Sequence, residues 1–495
     1  MKKKSNLFAG VLIFSILFFL TTACVDKDTE SENNNSTSSE ASDSLSFLPD
    51  VNYNEEEIIF LCENDGTCKA IYAEELDSTL INDSVYQRNN IVQEKLGVVI
   101  KSYYGDTTIT CLDMLRNSIN SGLDEYDIVM PYMPAAATMA LDQNLYDLNE
   151  IPELNLSAPY WDQNANEGLS IGGKLYFTVG AMTYSDKSLT LTYIFNKDVV
   201  EEKNLENPYI LVKEGKWTID KMIELAKQVT DDSDGNGVMN YKDTWGLFMN
   251  TSCASVYYLA AGEKLTSKDK YDLPLISVYT KRGVEVFNKI FEVYTDSTAT
   301  IKIEGFHSDA IAAGYSTCYE AANIAFVEKR ALFKTMNLSD LTPLGEYEVN
   351  FGILPYPKFD EQQTNYFSPV SLFYVTPVCI PISNKEPAKA AYVIEAMSAA
   401  SVDTVEKSYY DVLLKLRQIQ DAESKEMLDI IFANRVYDLS MIYNWGGNDM
   451  FDPNGVFWFM NQIADSGVNT FASTYESLKA AMDKGVSDTI AAFYS

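Results

Sequence analysis

Between Val51 and Met130 the apolar positions fall into short blocks of two kinds. Ile58 to Leu61 is a continuous apolar run that predicts a buried strand, with a turn at Asn64 to Gly66 behind it. Val85, Val92 and Leu96 then recur on one helical face after a cap at Asp83 or Ser84, and Gly97 stands where that helix should stop. Val98 to Tyr103 predicts a second strand. Leu112, Leu115 and Ile119 predict a helix ending at Ser121-Gly122, and Tyr126 to Met130 a third strand. Strand, helix, strand, helix, strand is the order of a parallel α/β sheet.

Pro134 opens a short helix through Leu141, and Gly172 to Met182 reads as a glycine-led strand or hairpin. Leu189 to Phe195 is strongly β-prone and stops at Asn196-Lys197, which makes it the expected first crossing between two lobes. Further helices are expected at Ala254 to Ala261 and around Val284, Val286, Phe287, Ile290 and Phe291. Ile324 to Val327 is expected as a strand, Phe351 to Asp360 as a strand ending in prolines, and Ser371 to Ser383 as an extended run whose prolines suit edges or crossovers. From Pro387 onward the pattern is mostly helical, and there is no internal repeat.

The stretch Gly215 to Phe248 reads as helix, oxygen-rich loop, strand. Thr218 caps a helix with Ile219, Met222, Ala226 and Val229 on one face, Asp220 complements its dipole, and it should end near Thr230. Asp232, Asp234, Asn236, the backbone of Val238, Asn240 and Asp243 then occupy alternating places of a calcium loop, with Gly237 at the sharp turn. A hard cation needs six to eight oxygens, which such a segment delivers, and Asp243 stands where the longer Glu is usual. The expected role of calcium is structural. Trp217 and Trp245, flanking this stretch, are expected in the core.

Three lysines, an apolar run of 14 residues from Leu7 to Leu20, and small residues Thr21 to Ala23 precede Cys24. That is an export signal over residues 1–23, too short to span a bilayer as a helix. Cys24 is the expected lipidation site, with the customary leucine one place early at Leu20, and the membrane is then reached through that anchor. Residues 24–50 are rich in Ser, Asn, Asp and Glu and predict a solvated tether. The chain has 495 residues and a formal charge of −33, so the folded part can hold two sizeable cores and repels nucleic acid. Among the cysteines, Cys62 and Cys68 could close a small loop in an oxidising compartment, and Cys111, Cys253, Cys318 and Cys379 read as buried small hydrophobes.

Signals for catalysis are missing. His307 is the only histidine, and there is no HExxH, GxSxG, Walker loop or GxGxxG fingerprint. Aromatic residues beside polar ones are more informative: Tyr132, Tyr184, Tyr443 and Trp445 lie in PYMP, MTYSD and IYNWGGN. A sugar offers apolar C–H faces inside a rim of hydroxyls, which calls for flat rings with fixed polar partners. Trp445, beside Gly446-Gly447, is the leading candidate.

The order of these pieces resembles bacterial extracellular solute-binding protein family 1, the sugar-binding lipoproteins of ABC importers that include maltose-binding protein. The matching segments are the lipoprotein start, YDIVM with LYDLNEI, LTLTYIFNKDVV, GKWTIDKMIELAK, IAFVEKRALF, FGILPYPK, and FSPVSLFYVTPVCIPISNKEPAKAAYVIEAM. The resemblance implies a two-lobed type II periplasmic-binding-protein-like α/β fold with hinge strands and a helical C-terminal region. It implies residues 51–190 and 324–400 in the first lobe, 191–323 and 401–495 in the second, and crossings near Leu189, near Ile324 to Arg330 and near Ala400. The implied ligand contacts are Glu63, Tyr132, Asn250, Ser252, Glu328, Arg330, Tyr443, Asn444 and Trp445, joined by Tyr184 from the aromatic pattern. The implied function is a non-enzymatic, monomeric receptor that delivers a carbohydrate to an ABC permease. A binder of peptide or other small solute in the same fold, and a carbohydrate-active hydrolase, are the alternatives.

Overall fold

The computed structural model describes residues 45–105, 110–415 and 421–494, so Cys24 and the export segment lie outside the described residues. Leu45 and Leu48, placed in the tether by composition, are buried against the first lobe.

In the first lobe β1 (Glu56–Cys62) lies between β2 (Val98–Tyr104) and β3 (Ile128–Met130), both pairings parallel. Phe60, Leu61 and Cys62 are all buried, as in a strand covered on both faces. Asn64 ends β1 and caps a helix, Asp65–Ile71, where a turn was expected, its Oδ1 accepting the Thr67 N–H at 3.0 Å. The next helix, Leu80–Leu96, begins at Thr79, one turn before the expected cap, because the Asp83 carboxylate accepts the amides of Asp77 and Ser78 instead. Gly97, at φ 64°, terminates it as expected. The Gly172–Met182 segment forms a tight turn at Gly172 and Gly173 between Ile171 and Lys174 and is otherwise irregular.

The second lobe is built on β4 (Leu191–Asn196), β5 (Trp245–Met249), a hairpin of β6 (Thr266–Lys268) with β7 (Pro274–Ile276), β8 (Thr300–Lys302), β9 (Ala331–Asn337) and β10 (Phe351–Leu354). Its main sheet runs β10-β4-β9-β5-β8, with β5 parallel to β8 and β9, and β4 antiparallel to β9 and β10. Thr218 caps the helix Ile219–Lys227, whose Ile219, Met222 and Ala226 are buried. Gly246 in β5 faces it so closely that an added Cβ would lie 2.2 Å from the Ala226 carbonyl oxygen.

Ile324–Val327 is not a strand. It ends the helix Cys318–Val327, capped by Thr317 and packed through Ala321, Ala322, Ala325 and Phe326. The strand is β9, and because β9 and β10 both belong to the second sheet, the return crossing comes later than Ile324 to Arg330. It is made at 368–376, where β11 (Ser368–Pro369) pairs with β12 (Arg435–Val436) and Thr190 bridges Val370. After Ala400 the helix Lys407–Lys415 packs on Leu80–Leu96 while its Tyr409 and Leu413 join the second-lobe core, and Ala422–Ala433 then rests on β10.

A buried ionic knot ties these crossings together. The Asp162 Oδ2 accepts from Arg435 and, at 2.8 Å, from the Tyr437 hydroxyl, while Asp186 stands 3.6 Å from the Arg435 guanidinium. The final helix, Phe471–Tyr494, spans both lobes: Phe471 stacks on Phe287 at 4.3 Å in the second, and Phe493 meets Tyr176 at 5.0 Å in the first.

Candidate functional site

In open α/β sheets ligands bind outside the carboxyl ends of the strands. In the first lobe those ends carry Glu63 and Asn64 after β1 and Tyr132 after β3. The Glu63 carboxylate accepts the Tyr132 N–H at 3.1 Å, and Asn64 donates its amide to the Tyr132 hydroxyl at 3.0 Å. Burial pushes the Glu63 carboxyl up, and the bond from Tyr132 opposes it in part. Met133 N donates to Val375 O at 2.8 Å, which brings the crossing segment alongside. Tyr374 from that segment meets Tyr132 edge to face, with centroids 5.4 Å apart, and remains 54% exposed. Its neighbour Phe373 stacks on Trp458 at 5.5 Å and touches Phe451, itself exposed. Tyr374, Phe451 and Trp458 were missed in the sequence, although the rings in SLFYV and NDMFDP adjoin turns.

The second lobe presents the carboxyl ends of β5, β8 and β9. Thr335 donates its hydroxyl to Asn250 Oδ1 at 2.8 Å, and Glu304 accepts from the Thr251 N–H at 2.8 Å and the Tyr319 hydroxyl at 2.9 Å. Ser252 follows at the start of the helix Cys253–Ala260. Both carboxyl edges adjoin the same crossing: Leu191 of β4 lies opposite Asn337 of β9, and Ser371 N bonds Leu189 O at 2.8 Å. The structure thus groups Glu63 with Tyr132, and Asn250 with Ser252, on two walls beside one hinge.

The other expected contacts lie elsewhere. Arg330 and Glu328 pair with each other at 2.6 Å, and Arg330 donates to Tyr241 O at 3.0 Å. Since Trp245 pairs with Ala331, they stand at the amino end of the sheet, a full strand away from Asn250. Tyr184 stacks on Tyr409 at 4.9 Å in a packed interface. Trp445 is only 3% exposed, parallel to Tyr443 at 5.3 Å, with its indole N–H on Thr489 at 2.8 Å. Gly446 and Gly447 do not open its surroundings, because Met482 and Gly485 of the final helix pack against this turn. Asn444, at φ 40°, spends its amide on Asp449 O and Asp452 O and so shapes its own loop. Tyr443 lines a cavity of about 410 Å³ with Pro134, Ala135, Thr138 and Met450, along the helix that Tyr132 leads into.

The oxygen-rich loop sits at the amino end of β5, remote from the cleft. Carboxylate oxygens of Asp232, Asp234 and Asp243 lie within 4.8 Å of one another, and among the described residues none of the three forms an ion pair. Gly235 and Gly237 take φ 68° and 79°, giving the tight turn. Asp243, buried, accepts from Ser233 N at 3.1 Å and Asn240 N at 2.8 Å, while Asn236 bonds Asp234. Asn240 Nδ2 reaches Val238 O at 3.2 Å, and the Trp245 indole donates to Asn240 O at 2.8 Å. Three converging carboxylates without an ion pair among the described residues are a donor set that fits a hard divalent cation.

Cys62 and Cys68 are both free and buried, with a thiol–thiol hydrogen bond between them. Burial and that bond push the Cys62 thiol up, while the bond holds Cys68 down.

No family model matches this chain, and neither does any curated protein. Solved structures do. A maltose-binding periplasmic protein of Listeria monocytogenes, solved with maltose, superposes with a TM-score of 0.56 at 12% identity over 88% of this chain and 98% of that one. A cyclo/maltodextrin-binding protein complexed with maltotetraose gives 0.53 at 13% over 89% and 97%. The maltose/maltodextrin-binding domain of Bdellovibrio bacteriovorus, bound to maltotriose, gives 0.51 at 16% over 87% and 100%. Two α/β lobes joined by hinge strands at 189–191, 368–371 and 435–436 make this chain's fold that of the maltose-binding proteins.

Proposed function

We propose that this chain is an extracytoplasmic receptor, anchored through lipidated Cys24, which captures a carbohydrate between its lobes and hands it to an ABC importer. The observation that carries the reading is the exposed Tyr374 ring set against Tyr132, above the polar pair Glu63 and Asn64. A pyranose packs its C–H face on such a ring while the carboxylate and amide take its hydroxyls. Solved proteins of the same fold hold maltose, maltotriose and maltotetraose, which favours an oligosaccharide. On this reading the protein acts as a monomer, leaves its ligand chemically unchanged, and moves by closure of the two lobes about the hinge.

Calcium belongs to the reading as a structural ion held by Asp232, Asp234, Asn236, Val238 O, Asn240 and Asp243. Bound there, it would offset two of the three carboxylate charges and brace the connection into β5.

The test is intrinsic tryptophan fluorescence of the full-length chain titrated with maltose, maltotriose and maltotetraose, with amino acids and a short peptide as controls. A saturable change with a sugar recovered intact supports the receptor. Saturation by peptide alone replaces the carbohydrate, and loss of intact sugar replaces the receptor with a hydrolase.

A further inference from the structure

One lysine is buried in the second-lobe sheet. Lys334, in the middle of β9, is 4% exposed and lies between Ile194 of β4 and Phe248 of β5, both fully buried. Among the described residues it makes neither hydrogen bond nor ion pair, whereas buried lysines are ordinarily paired. The charges felt by its ammonium are Glu304 and Asp340. Both follow the carboxyl ends of β8 and β9, the end of the sheet that carries the Glu304, Thr251 and Tyr319 cluster.

An unpaired lysine costs the fold stability and packs worse than an aliphatic residue of its volume. Such a cost is the mark of a group kept for binding. We infer that Lys334 is a ligand-contacting residue of the second-lobe wall, whose ammonium donates to hydroxyl or ring oxygens of the bound carbohydrate; this rests on the carbohydrate reading. Glu304 beside it accepts from the sugar's hydroxyls, so the pair offers a donor and an acceptor to neighbouring oxygens. Glu304 and Asp340 outnumber the ammonium on this wall, which disfavours an anionic sugar.

Burial lowers the Lys334 ammonium to about 8, with Glu304 and Asp340 opposing the shift. The helix Cys318–Val327, packed over the same face, brings the Cys318 thiol and the Tyr319 hydroxyl, both raised by burial and by Glu304. Ile194 of β4 and Phe248 of β5 bring no charge. Lys334 is therefore the first of these groups to lose a proton as pH rises, and ligand affinity falls with it.

The experiment compares full-length wild type with Lys334→Met, by calorimetric titration with maltotetraose and maltotriose at pH 7 and 9 and by thermal melting at pH 7. The expected result is a wild-type affinity about tenfold weaker at pH 9 than at pH 7. In Lys334→Met the affinity at pH 7 falls at least about tenfold, the pH dependence flattens, and Tm is equal or higher. Equal affinity and pH profile in the two proteins overturns the inference, and so does a lower Tm in the variant, which marks a structural lysine. If wild type binds no sugar, the carbohydrate reading fails. An equal or higher Tm of the variant then still supports a lysine kept for binding, and a lower one overturns that too.

Discussion

Asn64 donates its side-chain amide to the Tyr132 hydroxyl at 3.0 Å while its Oδ1 caps the helix Asp65–Ile71. One residue thus fixes both the start of a helix and the tilt of a cleft ring, at the carboxyl ends of two adjacent strands. Asn64→Ala removes both bonds, and we expect a loss of about 1–2 kcal/mol in stability, read by urea denaturation. Sugar affinity should fall alongside it, because the Tyr132 ring is no longer held.

Tyr374 is the exposed partner of that ring. Tyr374→Ala should weaken oligosaccharide binding by about tenfold, ~1.4 kcal/mol, with Tm within a degree or two of wild type. Unchanged affinity in calorimetry would place the ligand elsewhere.

Trp445 should behave in the opposite way. Its ring is enclosed and its N–H is bonded to Thr489, so Trp445→Ala should cost about 3–5 kcal/mol. Whatever fraction stays folded should bind sugar with wild-type affinity. A stable variant with lost binding would return Trp445 to the cleft.

The hinge depends on Arg435. Arg435→Met leaves Asp162 buried without its cation and Asp186 with Lys187 alone, at 3.7 Å, a change expected to cost about 3–5 kcal/mol in denaturant titrations. The same knot predicts an acid limb. Burial pushes Asp162 up, but the Arg435 charge with the bonds from Tyr437 and the Ala165 N–H outweighs it and holds the carboxyl below its ordinary 3.8. A carboxyl depressed in the folded state stabilises at pH above 3.8 and loses that contribution as pH falls through its native value. Melting between pH 5 and 2 should show this loss, and a Asp162→Asn protein should show a shallower acid limb.

Calcium at the loop should raise Tm with the logarithm of its concentration once that exceeds its Kd. At one hundred times its Kd the gain is about 2.7 kcal/mol, removed by chelator. Asp234→Ala should abolish the calcium-dependent shift and leave sugar affinity at saturating calcium almost unchanged, since the loop stands at the amino end of β5 and the ligand walls at the other.

The chain's local signals carried the elements that depend on neighbours in sequence. Thr218 and Gly97 ended their helices as their chemistry requires, the carboxylates of Asp232, Asp234 and Asp243 came together, and β1 to β4 formed where apolar runs stood. Ile324 to Val327 misled because four apolar-rich residues carry no period, and only the cap at Thr317 and the alanines facing the sheet make them helical.

Tertiary structure alone decided which rings and charges meet a ligand. IYNWGGN has the polarity of an open loop, yet the final helix, some forty residues further on in sequence, covers Trp445. EKR looked like a cleft segment, yet the parallel register of β5 and β9 sends Arg330 to the far end of the sheet. Tyr374 and Lys334 sit in apolar runs that read as strand and core, and they become candidates because one keeps its ring uncovered and the other lacks a partner. Periodicity and capping are set by contacts a few residues apart, whereas exposure and pairing are set by whatever distant segment the fold lays over a side chain.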